Sequence, residues 1–307
     1  MKPVTAMKIA ITTSSFAKQS AAPLDLLKAG DIAYVLNPHG RALTEDEAIE
    51  VLTGCTGVLA GTEPLTARVM AALPDLQVIS RCGVGLDNVD MEAAKLRGIK
   101  VYNTPDGPTR AVAELTIGLG LSLLRLIPAQ DRDIRSGVWK KRMGGLIQDK
   151  KLGVIGLGRI GLAVAGLFTA LGAQVAYSDP LVAHDSYPRL ELEELLTWAE
   201  ILTVHAPPAK DRLLLDAERL NLLQPGAWLI NAARGGLVDE AALLSLLEQG
   251  RLAGAALDVF GQEPYTGPLK ELDNVILTPH VGSYAREARI KMETDAMLNL
   301  LAGLGLN

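Results

Sequence analysis

A glycine pattern between a predicted strand and a predicted helix constrains this chain most. The apolar segment 152–155 predicts a buried strand, and Gly156, Gly158 and Gly161 follow it with the spacing G-x-G-x-x-G. In such a unit the first glycine permits a tight turn, the second admits a pyrophosphate, and the third lets helix and strand pack closely. The helix would direct its N-terminal N–H groups at the phosphates. The predicted phosphate-binding residues are Gly156, Gly158, Arg159, Ile160 and Gly161.

The second strand of this unit, predicted at 174–178, ends in an acidic residue. Asp179 follows it, and Pro180 and Leu181 come next instead of an arginine. A carboxylate at this position accepts hydrogen bonds from the adenosine ribose hydroxyls and repels a 2′-phosphate. The sequence therefore predicts NAD as the cofactor, in preference to NADP. The alternative, glycines that only punctuate a helix, does not explain why strand, helix, second strand and aspartate occur in this order.

Composition limits the classes of partner. The chain has 307 residues, enough for two domains, with 49% hydrophobic and 21% charged residues and a net charge of −5. The hydrophobic and charged fractions are typical of a globular protein. The net negative charge does not indicate a basic surface for binding nucleic acid or an anionic membrane, so we expect small-molecule partners. Cys55 and Cys82 form neither a disulfide framework nor a metal-binding motif, and no signal peptide or membrane span is predicted. We expect a cytoplasmic protein without a metal.

Short apolar strands alternate with amphipathic helices on both sides of the glycine loop. This alternation predicts an α/β fold with two doubly wound parallel sheets and a ligand cleft between their domains. Thr44 and Glu47 predict a capping box at one helix start. One long helix is predicted from 108 to about 133, and another from about 283 to 301. The predicted strands outside the glycine-loop unit are 8–13, 32–37, 57–61, 77–82, 100–103, 201–205, 228–232, 254–259 and 275–277.

We expect the C-terminal helix to return to the first sheet. The predicted domains are then a discontinuous substrate domain, 1–102 plus 284–307, and an NAD-binding domain, 103–283. Trp139 lies between the two sheets in sequence, and its pattern fits either a dimer-arm anchor or an ordinary core aromatic residue.

Three segments after the glycine loop place a polar group at the end of an apolar strand. Arg234 precedes two glycines and offers a bidentate donor to a carboxylate. His280 is the candidate for exchanging a proton near neutral pH, and Glu263 could hold its imidazole in one tautomer. Each residue alone also has an ordinary interpretation: a turn for the arginine, a helix stop for the glutamate and a capped loop for the histidine. Their common placement at strand ends favours a catalytic set.

The chain here resembles the D-isomer-specific 2-hydroxyacid dehydrogenase family over nearly its full length. The resemblance implies a flavodoxin-like substrate domain, a Rossmann NAD domain and a phosphoglycerate-dehydrogenase-like short form without a C-terminal regulatory domain. It also implies a homodimer formed through the nucleotide domains. The motifs that carry it are SRCGVGLDNVD (80–90), NTPDGPTRAVAE (103–114), GLGRIG (156–161), INAARGGLVDE (230–240), LDVFGQEP (257–264) and TPHVGS (278–283).

The resemblance also implies roles for individual residues. Arg234 would bind the substrate carboxylate and its neighbouring oxygen, His280 would be the acid/base, and Glu263 its partner. In the first domain, Val84 and Gly85 would donate backbone N–H groups to the carboxylate, with Arg81 beside them. The implied cofactor contacts outside the glycine loop are Thr109, Asp179, His205, Ala206, Pro207, Ala232 and Asp258.

Some positions depart from the family pattern. Pro108 and Thr109 stand where many relatives have Asn-Thr, and the loop after His205 reads APPAKD in place of the common P-L-T pattern. The segment LAGTEP, 59–64, lacks the second arginine that many phosphoglycerate relatives have there, and its Glu63 has the opposite charge. Matching of charges therefore favours a small unphosphorylated acid such as glyoxylate or hydroxypyruvate.

The function predicted from sequence is thus an NAD-dependent oxidoreductase that interconverts a D-2-hydroxy acid and its 2-oxo acid. D-3-phosphoglycerate dehydrogenase is the first alternative. A dehydrogenase of formate or phosphite is another enzymatic alternative, and an NAD-sensing regulator is the non-enzymatic one.

Overall fold

The computed structural model describes residues 7–208 and 213–306. The chain divides into two compact units, which we describe separately. Unit 1 comprises Met1–Pro108 and Ser283–Asn307, and unit 2 comprises Thr109–Gly282. The C-terminal helix therefore belongs to the same unit as the N-terminal strands.

Unit 1 contains a five-stranded sheet in which all neighbouring strands are parallel. The strand order is β2-β1-β3-β4-β5, the flavodoxin-like order, and the order reverses between β1 and β3. The strands are β1 (Lys8–Ile11), β2 (Ala33–Leu36), β3 (Gly57–Ala60), β4 (Val78–Arg81) and β5 (Lys100–Tyr102). The helices are α1 (Ala22–Ala29), α2 (Glu45–Leu52), α3 (Ala67–Ala72), α4 (Met91–Leu96) and α11 (Arg286–Gly303).

Alternation along the strands of unit 1 creates an apolar core on each face of the sheet. Ile9 and Ile11 point to α1 and α11, where they pack with Leu27 and Leu300. Ala10, between them, faces α2, α3 and α4. The predicted capping box is confirmed: the Thr44 side chain accepts from the backbone N–H of Glu47, and the Glu47 side chain accepts in return.

Unit 2 contains a six-stranded parallel sheet with the order β11-β10-β9-β8-β6-β7. Its order reverses between β6 and β8, and helices cover both faces. The strands are β6 (Lys151–Ile155), β7 (Gln174–Ser178), β8 (Ile201–Val204), β9 (Trp228–Asn231), β10 (Gly254–Leu257) and β11 (Val275–Leu277). The helices are α5 (Thr109–Leu124), α6 (Ile127–Arg135), α7 (Arg159–Ala170), α8 (Leu192–Trp198), α9 (Ala217–Leu222), α10 (Glu240–Glu248) and a 3-10 turn at Pro268–Glu271.

The single long helix predicted from 108 to about 133 is wrong. It is broken into α5 and α6, whose axes meet at 62°. Leu126 has φ of 54°, outside the right-handed helical region, and Pro128 has no N–H to continue the hydrogen-bond ladder. No single helix in the described ranges is long and apolar enough to cross a membrane, although this bent pair taken together has the length and composition.

Trp139 does not belong to the core of unit 2. Its side chain is 85% exposed, so the interpretation as an ordinary core aromatic residue is wrong for the single chain. Val138, Met143 and Leu146 in the same segment are exposed as well. An apolar surface of this kind fits an interface better than a core position.

Glu63 is a fully buried acid in unit 1. Its carboxylate accepts hydrogen bonds from the Thr12 hydroxyl and from the Gly61 N–H, the latter at 3.1 and 3.2 Å. Burial raises the pKa of this carboxyl above its usual range, against the opposing effects of its hydrogen bonds and of nearby Arg81. The side chain therefore joins the carboxyl ends of β1 and β3 and does not present a charge to solvent.

The variant Glu63→Gln is expected to become more stable than wild type as the pH rises, as measured by the free energy of unfolding. A carboxyl whose pKa is raised by folding loses stabilising free energy from about pH 4.3, its unfolded value, up to its folded pKa. The amide has no such loss, so the difference in free energy of unfolding should grow with pH in favour of the variant. Urea unfolding at several pH values measures it, with Glu50→Gln, an exposed acid, as the control. A difference independent of pH would contradict the raised pKa.

Candidate active site

The glycine loop of unit 2 has the geometry of a dinucleotide-binding turn. Gly156 has φ of 87°, and an added Cβ there would lie 2.8 Å from the carbonyl oxygen of His205. A Cβ on Gly161 would lie 1.9 Å from the carbonyl oxygen of Gly156, so α7 packs directly on the loop. Next to Gly158 there is open space instead, as a pyrophosphate approaching the backbone requires. These features fit a bound dinucleotide.

Asp179 lies at the end of β7 and connects two loops. Its Oδ2 accepts from the N–H of Leu157 at 2.8 Å, and its Oδ1 accepts from the N–H groups of Leu181 and Val182 at 2.8 and 3.0 Å. Each carboxylate oxygen has two lone pairs, so Oδ2 keeps acceptor capacity for one ribose hydroxyl. The sequence did not reveal this second, structural role.

His205 follows β8 at the reversal of strand order, beside the glycine loop. Its Nε2 lies 2.9 Å from the Thr203 hydroxyl, while the buried Nδ1 has no hydrogen-bond partner among the described residues. Burial lowers the pKa of His205 to about 3, so the ring is neutral at physiological pH. The reversal point of an open α/β sheet is where ligands bind. A neutral ring there suits a cofactor contact and does not suit acid/base work.

The turn that carries Arg234 is fixed by a buried amide. Asn231, at the end of β9, donates from Nδ2 to the carbonyl of Arg234 at 3.0 Å and accepts from the N–H of Ala233 at 3.1 Å. A Cβ on Gly235 would lie 1.7 Å from the carbonyl oxygen of Phe260, so the turn packs against the segment after β10. Asn231 lies within the motif INAARGGLVDE, but the sequence predicted no role for it.

Asp258 is buried and holds the loop that contains His280. Its Oδ1 accepts from the Thr278 hydroxyl at 2.6 Å and from the N–H of Val281 at 2.8 Å, and its Oδ2 accepts from the N–H of Gly282 at 2.8 Å. A carboxylate with three donors anchors this loop firmly. The nicotinamide contact expected of Asp258 stays a prediction.

Glu263 and His280 form a direct pair. The Nδ1 atom of His280 lies 2.9 Å from Oε2 of Glu263, whose Oε1 accepts from the N–H of Phe260 at 3.1 Å. An ionised carboxylate can only accept, so the pair places a proton on Nδ1 and leaves Nε2 for a ligand. His280 has φ of 52°, and its side chain is 48% exposed. A half-exposed imidazole is accessible to a substrate.

The other predicted cofactor residues lie on the same unit. Arg159 and Ile160 begin α7, Thr109 begins α5, and Ala232 directly follows β9. Ala206 and Pro207 follow His205, and the backbone N of Ala206 lies 2.8 Å from the position of a Cβ on Gly156. The end of the APPAKD loop, residues 209–211, lies outside the described residues. Within residues 7–208 and 213–306, no group of His, Cys, Asp and Glu could hold a metal ion.

The predicted substrate residues Arg81, Val84 and Gly85 belong to unit 1, at the end of β4. Asn103 donates to the carbonyl of Val84 at 2.7 Å, and the Thr104 hydroxyl accepts from the N–H of Gly83 at 2.8 Å. In the described part of the chain, the N–H groups of Val84 and Gly85 donate to no acceptor. They are therefore available to an anion.

Residues 117–282 match the family described as D-isomer specific 2-hydroxyacid dehydrogenase, NAD binding domain. This chain belongs to that family. A similar protein is D-3-phosphoglycerate dehydrogenase of Synechocystis sp., 36% identical over 282 residues that cover 89% of this chain and 50% of the relative. The chain thus spans about half the length of the curated relatives it matches.

Solved structures of other proteins have the same fold as this chain over almost its whole length. The TT0316 protein from Thermus thermophilus has a TM-score of 0.92 and 38% identity, with 97% of each chain covered. NADPH-dependent glyoxylate/hydroxypyruvate reductase from Sinorhizobium meliloti has a TM-score of 0.82 and 32% identity, with 95% of this chain and 92% of that one covered. The predicted family, the α/β class with two parallel sheets and NAD as cofactor are confirmed.

Asp179→Ala is expected to reduce the preference for NADH over NADPH by at least tenfold. The wild-type carboxylate is predicted to bind the adenosine ribose, where it would face a 2′-phosphate, and two like charges about 4 Å apart repel strongly near a protein surface. Dissociation constants of both cofactors, from nicotinamide fluorescence titration, measure the ratio. Asp185→Ala removes an exposed acid of the same unit and is the control. Wild-type protein that binds both cofactors equally would contradict the role of Asp179.

Proposed function

We propose that the protein is an NAD-dependent oxidoreductase that interconverts a D-2-hydroxy acid and its 2-oxo acid. The observation that carries the proposal is the Glu263–His280 pair, which leaves Nε2 of a half-exposed imidazole for a ligand on an NAD-binding domain. The turn of Arg234 packs against Phe260, whose N–H bonds Glu263, so the three proposed catalytic residues lie on linked segments.

The residues proposed to hold the cofactor are the glycine loop, Asp179 and the segments after β8 and β9. When bound, the nicotinamide ring supplies or accepts the hydride. Arg234 is proposed to bind the carboxylate of the substrate and its neighbouring oxygen. A bidentate guanidinium would present the second carbon of the substrate in one orientation. Val84 and Gly85, in unit 1, keep the carboxylate-binding role that the resemblance implies.

His280 moves the proton of the reaction. In reduction, its protonated Nε2 donates to the carbonyl oxygen as the alcohol forms, and in oxidation neutral Nε2 accepts the hydroxyl proton. Glu263 accepts from Nδ1 throughout, so the ring keeps one tautomer and the imidazolium has a counter-charge at 2.9 Å. Asn231 is a positioning residue because it bonds the turn of Arg234, and Asp258 positions the loop of His280 in addition to its predicted nicotinamide contact.

For the substrate we propose a small unphosphorylated acid of the glyoxylate or hydroxypyruvate type. The structure changes one reason for this choice: Glu63 is buried, so it does not repel a ligand phosphate directly. What supports the choice is that residues 59–64 contain no cation to balance a second anionic group. D-3-phosphoglycerate remains the alternative substrate, and the similarity to the Synechocystis enzyme favours it.

We also propose the domain roles expected from sequence: a substrate domain at 1–102 plus 284–307 and an NAD domain at 103–283. We further propose that the protein forms a homodimer and is located in the cytoplasm. The exposed apolar side chains Trp139, Met143 and Leu146 support an interface on unit 2. An NAD-sensing regulator would also bind the cofactor, but it would not turn over a 2-oxo acid, which separates the two functions.

His280→Asn is expected to lower kcat by roughly 10²- to 10⁴-fold with little change in the dissociation constant for NADH, because proton transfer is lost while cofactor contacts stay. Glu263→Gln should lower kcat less, since the imidazole keeps its place but loses its counter-charge. Steady-state kinetics with glyoxylate and NADH titration measure both effects. His39→Asn, at an exposed position, is the control. Full activity of His280→Asn would remove the histidine from the mechanism.

Hydroxypyruvate is expected to give a higher kcat/KM than 3-phosphohydroxypyruvate. A second anionic group needs matching cations, and residues 59–64 provide none. NADH oxidation with both substrates, in wild type and Arg81→Ala, measures the preference. A large advantage of the phosphate ester that disappears in Arg81→Ala would make the protein a phosphoglycerate dehydrogenase instead.

A further inference from the structure

Unit 1 contains a positively charged pocket that the proposed reaction does not use. Its volume is about 280 Å³, and its walls are the loop after β1 and the beginning of α11. Three cationic side chains line it, together with serine hydroxyls, a glutamine and a tyrosine, and no carboxylate is among the lining residues. The cations are Lys18, Arg286 and Arg289.

Arg289 is buried in the wall of this pocket, with 6% of its surface exposed. Its Nη2 donates to Glu293 at 3.1 Å and to the Ser15 hydroxyl, and its guanidinium lies 5.2 Å from the centroid of the Tyr284 ring. Its Nε is also buried but has no hydrogen-bond partner among the described residues. A buried donor without an acceptor is costly, and the residue that carries it is one of those that line the pocket.

The charges of the two other cations are not neutralised by an ion pair in the described part of the chain. Lys18 and Arg286 are exposed, and in residues 7–208 and 213–306 neither forms an ion pair. Glu293 offsets the charge of Arg289, so the pocket retains a net positive charge from Lys18 and Arg286. Two uncompensated cations, Lys18 and Arg286, around a small volume match an anion with more than one negative charge.

The wall formed by the loop after β1 is held in place before any ligand arrives. Glu293 accepts from the Ser15 hydroxyl at 2.8 Å and from the N–H of Ala17 at 2.9 Å. This loop begins at the carboxyl end of β1, where the strand order of the sheet reverses, the position at which open α/β sheets bind ligands. A preformed wall reduces the entropy lost on binding.

We propose that this pocket binds a phosphate group. The cations and the hydroxyl of Ser14 match the oxygens of a phosphate, and the volume suits a phosphate carrying a small organic group. The phosphate belongs either to the substrate or to a separate small ligand. The site differs from the carboxylate donors Val84 and Gly85, and it does not depend on the proposed reaction.

Direct binding of inorganic phosphate to the 307-residue protein tests the site. Titration calorimetry at constant ionic strength should give saturable binding that is at least tenfold weaker in the double variant Lys18→Gln/Arg286→Gln. Arg289 is left unchanged, because removing it would leave Glu293 buried without its partner. Lys95→Gln/Arg97→Gln removes two exposed cations of α4 and its C-cap and is the matched control. Equal affinity in all three proteins, or no saturable binding to wild type, would overturn the proposal.

A competition experiment distinguishes the two sources of the phosphate. If the substrate carries it, inorganic phosphate should raise the KM for 3-phosphohydroxypyruvate but not for hydroxypyruvate, and the double variant should abolish that difference. If a separate ligand carries it, calorimetry should show saturable phosphate binding while phosphate leaves the kinetics of both substrates unchanged. Either pattern supports the site, and the absence of saturable binding to wild type would contradict both. A protein inactive with every oxo acid would refute the proposed reaction and leave the calorimetric test intact.

Discussion

The close approach of α7 to the loop after β6 is the constraint on which the cofactor site depends. A Cβ on Gly161 would stand 1.9 Å from the carbonyl oxygen of Gly156, so no other residue fits there without moving the helix. This packing sets the direction of α7, and with it the direction of the N–H groups offered to a pyrophosphate. It also sets the distance to the end of β8, because Gly156 itself packs against the backbone of His205.

Buried and half-buried polar side chains fix the loops that carry the proposed chemistry. Asn231 bonds the turn of Arg234, Asp258 takes three hydrogen bonds from the loop of His280, and Asp179 ties the glycine loop to the segment after β7. Loops at strand ends lack the hydrogen-bond ladder of the sheet, so side-chain acceptors replace it. The exposed residues His280 and Glu263 can then meet a ligand without losing their relative position.

Two of the buried ionisable residues in unit 1, Glu63 and Arg289, differ in their hydrogen bonds. Glu63 is withdrawn from solvent and bonded between β1 and β3, whereas Arg289 is buried against Glu293 with one donor left over. The first arrangement satisfies the side chain internally, and burial favours its neutral form. The second leaves Nε of Arg289 without an acceptor among the described residues, in a side chain that lines the proposed phosphate pocket. The charge type of a residue in the sequence therefore does not by itself show whether that charge is accessible to a substrate.

The sequence by itself determined the α/β class, the family and the nucleotide unit, because glycine spacing and strand periodicity are local properties of the chain. It placed Thr44 and Glu47 in a capping box for the same reason. The break at Leu126, the exposure of Trp139 and the burial of Glu63 were decided only by the tertiary structure. Each depends on neighbours distant in sequence or on a backbone conformation that residue type does not fix. The pocket of Lys18, Arg286 and Arg289 is of this kind, since its walls are more than 260 residues apart and only the fold of unit 1 joins them.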